Sequence, residues 1–198
     1  MFELLGKQLR KPSGFWGKLV AKMMDKRNKK IYLEIIRMLN VENGDRIFEI
    51  GYGPGLGINL LANSDIICTI HGIDFSELMY KKASKRNKIF IDHCLVNLSY
   101  GDLLTTDFKR EKFNKIFCVN VIYYWDDLSI AFKKIISMMN HGGMFCIFMT
   151  HEKEFKQPKF AHDFCKYTIE NVELELKNAG FSKINHTFDN GYFITAFK

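Results

Sequence analysis

The chain has 198 residues, enough for one domain with a substantial core. Hydrophobic residues make up 47%, charged residues 26% and aromatics 14%, which excludes a disordered or collagen-like chain, and no apolar run approaches the length of a membrane span. The net charge of +7 admits nucleic acid, anionic lipid or acidic small molecules as partners without choosing among them.

The N-terminal stretch MFELLGKQLRKPSG breaks its apolar run with charges and offers no small-residue cleavage site, so no secretory signal is expected. Phe15, Leu19 and Met23 recur at helical spacing, as do Trp16, Val20 and Met24 beside them. Lys18, Lys22, Asp25 and Lys26 fall opposite, which predicts an amphipathic helix. A second helix is expected with Ile31, Ile35 and Leu39 on one stripe and Tyr32 and Ile36 adjacent. It stops at Asn40, before a turn over 42–45. The period then changes. Short apolar runs over 46–50, 66–74, 95–100, 116–121 and 144–150 read as strands, and helical patterns over 57–62, 77–87 and 128–139 separate them. Strands alternating with helices require crossovers and hence a parallel sheet in an α/β fold. Ser76 is the expected cap of the helix opening at Glu77. The tail reads as a helix over 172–179, capped at Gly180, and then two strand-like runs flanking Asn190-Gly191. Such a turn predicts a C-terminal antiparallel hairpin. The stretch from His151 to Tyr167, with Pro158, reads as a long loop or lid. Five cysteines in odd number, with no Cys-x-x-Cys, fit buried free thiols in a reducing cytoplasm better than disulfides or a zinc ribbon.

The most informative segment is Glu49-Ile50-Gly51-Tyr52-Gly53-Pro54-Gly55, between the first strand and its helix. A glycine-rich first turn at the carboxyl edge of a parallel sheet is where open α/β folds bind ligands. Ile58-Asn59 after the glycines rules out a phosphate-binding P-loop, which needs a Lys-Ser/Thr pair there. The dinucleotide spacing Gly-x-Gly-x-x-Gly fails too, because its last position is Leu56 or Ile58. Phe48 to Gly55 instead resembles the first motif of class I S-adenosylmethionine (SAM)-dependent methyltransferases, nearest their small "type 11" group. Gly72-Ile73-Asp74-Phe75-Ser76-Glu77-Leu78-Met79, Gly101-Asp102-Leu103, Asn120 to Trp125 and Gly142-Gly143-Met144 resemble the later motifs in order, so the likeness covers 41–198.

That resemblance implies a Rossmann-like, seven-stranded, mostly parallel sheet with helices on both faces, preceded by an N-terminal helical cap over 1–40. It also implies residue roles. Gly51, Gly53 and Gly55, with Tyr52 among them, let backbone approach the cofactor, while Glu49 holds the loop and reaches toward the methionine amino group. Asp74 accepts the ribose hydroxyls, Phe75 and Met79 pack near the adenine, Gly101, Asp102 and Leu103 meet its edge, and Asn120 offers its carbonyl. Tyr123 and Tyr124 are candidates for the acceptor pocket, and with His151 they are the candidate general bases. The expected activity is methyl transfer to a small or lipid-like acceptor. The competing readings are an NAD(P)-dependent oxidoreductase, disfavoured by the missing third glycine, and a SAM-binding regulator without catalysis. No metal is expected: His151-Glu152 begins like a zinc-protease helix, but Phe155 stands where the second histidine is needed. The basic residues around 7–30 read as a solvated face of the cap. Transient membrane-surface contact is the sharper alternative, and nucleic acid is not expected because no RNA-binding module is recognisable.

Overall fold

The computed structural model describes residues 14–108, 110–151 and 167–198. The start of the cap, nearly all of the expected lid, and the side chains of Phe15, Lys18 and Val20 lie outside the described residues. In chain order the elements are α1 (Gly14–Leu39), β1 (Arg46–Ile50), α2 (Leu56–Ala62), β2 (Thr69–Asp74), α3 (Glu77–Arg86), α4 (Lys88–Asp92) and β3 (Val96–Tyr100). After these come β4 (Phe113–Val119), a 3-10 turn (Ile122–Tyr124), α5 (Leu128–Ser137), β5 (Met139–Thr150), α6 (Ile169–Asn178), β6 (Ser182–Phe188) and β7 (Gly191–Phe197).

The strands form one seven-stranded sheet in the order β3-β2-β1-β4-β5-β7-β6. β1 to β5 run parallel, and β7 and β6 add an antiparallel edge, as the Asn190-Gly191 turn predicts. Alternate residues of the central strands feed two hydrophobic clusters, one on each face. Phe48, Ile116, Cys118, Phe145 and Ile147 meet α5 and α6. Ile47, Phe117, Cys146 and Phe148 meet Tyr32, Ile35 and Leu39 of α1 and Ile58 and Leu61 of α2. Strands buried on both faces explain why these runs read as continuously apolar. Cys68, Cys118 and Cys146 are buried free thiols as expected, whereas Cys94 is exposed.

Three elements differ from the sequence reading. The two N-terminal helices are one 26-residue helix, because the polar stretch Arg27-Asn28-Lys29-Lys30 contains no glycine or proline and loses only its buried face. The helix before β5 ends at Ser137. Met139 already pairs with Phe113, and the ladder then shifts register to Lys115 and Met144 across Gly142, whose φ is +73°. β4 starts earlier than expected and ends at Val119, where Asn120 turns the chain with φ +58° into the 3-10 turn.

Candidate active site

The pairing register brings the carboxyl ends of the parallel strands to one edge. Ile50 lies beside Ile73 and Cys118, Asp74 beside Tyr100, and Val119 beside Phe148. The loops leaving those ends therefore converge, and β1, between β2 and β4, marks the point where the order reverses and ligands bind. Antiparallel pairing of Thr150 with Gly191 carries the β6–β7 turn to the same edge. A cleft of about 670 Å³ opens there, within the size range of small-molecule sites.

Of the residues singled out from sequence, Gly51, Gly53, Asp74, Phe75, Met79, Gly101, Asp102, Leu103, Asn120, Tyr123 and Tyr124 line this cleft. Glu49, Tyr52, Gly55 and His151 are not in its wall. Gly51 turns with φ +70°, and a Cβ there would stand 2.5 Å from a Val121 methyl, so only glycine lets the loop lie against β4's exit. Asp74 is buried, with Oδ2 accepting from the Gly53 amide (2.8 Å) and Oδ1 from the Ser76 amide (2.8 Å). Burial pushes its pKa up to about 6, against the pull of those two amides. Ser76 caps α3 by accepting from the Met79 amide, as its place before Glu77 predicts. Asp102 Oδ1 accepts from the Leu104 amide at 2.7 Å and is exposed at the rim, while Leu103 is buried.

The residues outside the wall have other surroundings. Strand alternation puts Glu49 on the face of Ile47, toward α1 and α2, where it is fully buried beneath the glycine loop beside Tyr32 and Gly57. Neither carboxylate oxygen reaches a hydrogen-bond partner at standard geometry among the described residues. Burial pushes its pKa up to about 8, with the nearby Tyr32 hydroxyl pulling against this, the charge of Asp74 adding to it and the Ile58 amide opposing. The Tyr52 hydroxyl donates to the Ser99 carbonyl (2.8 Å), tying the loop to β3. Gly55 packs on Ala83 and Asn87 of the α3 side, and the Asn87 amide donates to its carbonyl. His151 packs on Phe188 and Tyr192, with ring centroids 5.5 and 5.8 Å away. The Tyr123 hydroxyl donates to the Thr150 carbonyl (3.0 Å) and lies 3.3 Å from Asn120 Oδ1, which also accepts from the Thr150 amide and hydroxyl. This network joins the ends of β4 and β5. Tyr124, beside Phe75, has the more open position of the two tyrosines.

An N-terminal helical cap was expected from the sequence, but not which of its later residues, or which residues of the hairpin, complete the far wall of the cleft. Met24, Arg27, Lys30, Ile31 and Glu34 come from one stripe of α1, and Thr187 to Asn190 come from the β6–β7 turn. The i, i+3, i+4 spacing on α1 was visible, but nothing local says which stripe faces a ligand. Arg86 was also missed. It pairs with Asp25 of α1 (2.5 Å) and donates to the Pro54 carbonyl (3.0 Å), fastening α1 to the glycine loop.

The fold and the cleft position are shared by many α/β proteins, so neither decides the family. Residues 48–147 match the model of a family described as "Methyltransferase domain". The uncharacterized methyltransferase YdaC of Bacillus subtilis is 30% identical over 155 residues, covering 78% of this chain and 81% of YdaC. The chain belongs to the methyltransferase domain family. It is a SAM-dependent methyltransferase, and the ordered motifs that resemble this class lie at the carboxyl edge of the sheet, except Gly142-Gly143-Met144, which leads into the parallel part of β5 at the opposite edge. Among solved structures, the fold is similar to a SAM-dependent methyltransferase from Aquifex aeolicus, at TM-score 0.70 and 13% identity over 84% of this chain and 87% of that one. It is also similar to phosphoethanolamine N-methyltransferase 2 of Haemonchus contortus, solved with phosphomonomethylethanolamine and S-adenosylhomocysteine, at TM-score 0.71 and 21% identity. That match covers 85% of this chain and 52% of the worm enzyme, so this chain spans about half that enzyme's length.

Proposed function

We propose that this methyltransferase binds SAM along the exits of β1 to β3 and methylates a small-molecule acceptor held between α1, the β4 exit and the β6–β7 turn. The carrying observation is the single cleft whose wall runs from Asp74 and Asp102, past Gly51 and Gly53, to Tyr124, Phe188 and α1. The cradle suits the cofactor. Asp74 keeps lone pairs free beyond its two amide bonds for ribose hydroxyls, and Gly53, with φ +53° and only the Met24 methyl within 4 Å of where a Cβ would stand, brings bare backbone to the wall. Bound there, the cofactor supplies a sulfonium methyl that is displaced in line by the acceptor. The protein's part is to orient the acceptor and exclude water. The Tyr123–Asn120–Thr150 network fixes the β4 and β5 exits, so that Tyr124 presents a fixed edge to the acceptor. Of the candidate bases, Tyr124 is favoured, since the Tyr123 hydroxyl is committed to Thr150 and His151 stands outside the wall.

The test is release of S-adenosylhomocysteine across a panel of amines, phenols, quinols and their anionic derivatives. At least one acceptor should turn over, and Tyr124→Phe should lower kcat while leaving the Kd for SAM within about twofold. SAM binding without turnover on any class would favour the non-catalytic reading. Membrane contact has support of its own: Trp16 and Leu19 are 59% and 56% exposed on a helix that also exposes Lys22 and Lys26. Cosedimentation with anionic vesicles at low salt checks it, and absence of binding there removes it. No helix among the described residues is long and apolar enough to cross a membrane.

A further inference from the structure

We propose that the acceptor carries a doubly charged anionic group, of the phosphate monoester kind, and that Arg27 and Lys30 of α1 seat it. This rests on the reading of the cleft's far wall as the acceptor side. Both side chains belong to the cleft wall. They stand three residues apart on one helix, which places their Cβ atoms about 5–6 Å from each other, a spacing from which a guanidinium and an ammonium can hold one tetrahedral anion.

The acids that could neutralise them on the same helix are already engaged. Asp25 pairs with Arg86, and Glu34 pairs with Arg37. Arg27 and Lys30 are left without a carboxylate partner among the described residues, though they line a concave surface. Two neighbouring cations with no counter-charge repel each other, and an entering dianion relieves that repulsion while gaining two charge-assisted contacts. Asp74 and Asp102, also in the wall, are held by backbone amides and suit the hydroxyls and amino group of a nucleoside. Glu34 and Asp189 share the wall, but Glu34 pairs with Arg37 and Asp189 accepts from the Asn190 side-chain amide, so Arg27 and Lys30 are the cations of this wall to which an acceptor's anion is drawn.

Inorganic phosphate is the probe, titrated calorimetrically into the full chain loaded with S-adenosylhomocysteine at low ionic strength. Saturable binding is expected, weakened about tenfold or more in Arg27→Ala/Lys30→Ala. Lys29→Ala, a charge on the same turn but outside the wall, should leave it unchanged. SAM affinity, measured on the same samples, should stay within about threefold of the parent. Circular dichroism verifies that the variants are folded.

Bound SAM with no phosphate binding overturns this proposal and leaves the cofactor reading intact. Equal loss in Lys29→Ala also overturns it, because the effect would then be general surface charge. Acetate binding as tightly as phosphate overturns the dianion assignment. Binding to phosphatidic acid vesicles that phosphate fails to displace assigns the cations to a lipid surface and overturns the acceptor role. Failure of SAM itself to bind refutes the cofactor reading, whichever way the phosphate titration falls.

Discussion

Asp74 holds the glycine loop and the start of α3 through two amides and offers its remaining lone pairs to the cleft. Asp74→Ala should therefore weaken SAM binding about ten- to hundredfold, the worth of charge-assisted bonds to a buried carboxylate. A folded variant that binds as tightly as the parent would remove the ribose assignment. The same carboxyl sets a pH dependence. Its folded pKa of about 6 means that a hydroxyl-accepting, ionised form predominates above that pH. SAM affinity should be flat at neutral pH and fall as pH drops through about 6, with proton release on binding near that pH, read by calorimetry in buffers of different ionisation enthalpy. Glu49 acts on stability instead. Its pKa is raised from an ordinary 4.5 to about 8, so the folded protein keeps a proton that the unfolded chain releases. Stability of the ligand-free protein must then decline as pH rises across that window. Glu49→Gln carries no such proton, and should melt several degrees above the parent at pH 8 and close to it at pH 4.5. Parallel melting curves for the two would mean that the carboxylate is not buried as described.

α1 has two functions along its length. Its C-terminal half is core, with Ile35 and Leu39 fully buried against the sheet. Its middle crosses the cleft, with Met24 near Gly53 and Asp25 fastened to Arg86, which also grips Pro54. The cap and the cofactor loop are therefore mechanically joined. Arg86→Ala should weaken SAM binding several-fold and lower kcat, while breaking the exposed Lys81–Glu77 pair should leave both within about twofold. Equal effects from the two would reduce the Arg86 link to an ordinary surface ion pair. The β6–β7 hairpin is a second element with a role beyond closing the sheet, since its turn supplies Thr187 to Asn190 to the wall.

For the molecule as a whole, ligand binding adds stability in proportion to the logarithm of saturation. SAM at about a hundred times its Kd should add about 2.7 kcal/mol and raise the melting temperature by a few degrees, and NAD at the same concentration should not. The reverse order would return the chain to the oxidoreductase reading. The prediction follows from the first turn, where Leu56 or Ile58 occupies the position that a dinucleotide fingerprint fills with glycine.

Features carried by short stretches of chain were legible in the residues. The glycine turn, the Ser76 cap, the Asn190-Gly191 hairpin and the alternation of strands with helices each arise from local sterics or local periodicity, and most residues singled out from the ordered motifs come together in one cleft wall. Features that depend on which distant surfaces meet were not legible. A carboxylate at Glu49 reads the same whether it faces a ligand or the core, and its fate was settled by the pleat of β1 and the packing of Tyr32 over it. Arg27 and Lys30 read as part of a solvated basic face until helix α1 proved continuous and was laid across the sheet edge. Local rules act over a few residues, whereas the far wall of the cleft is assembled from segments separated by most of the chain, and burial and charge pairing there are set by packing rather than by neighbours in sequence.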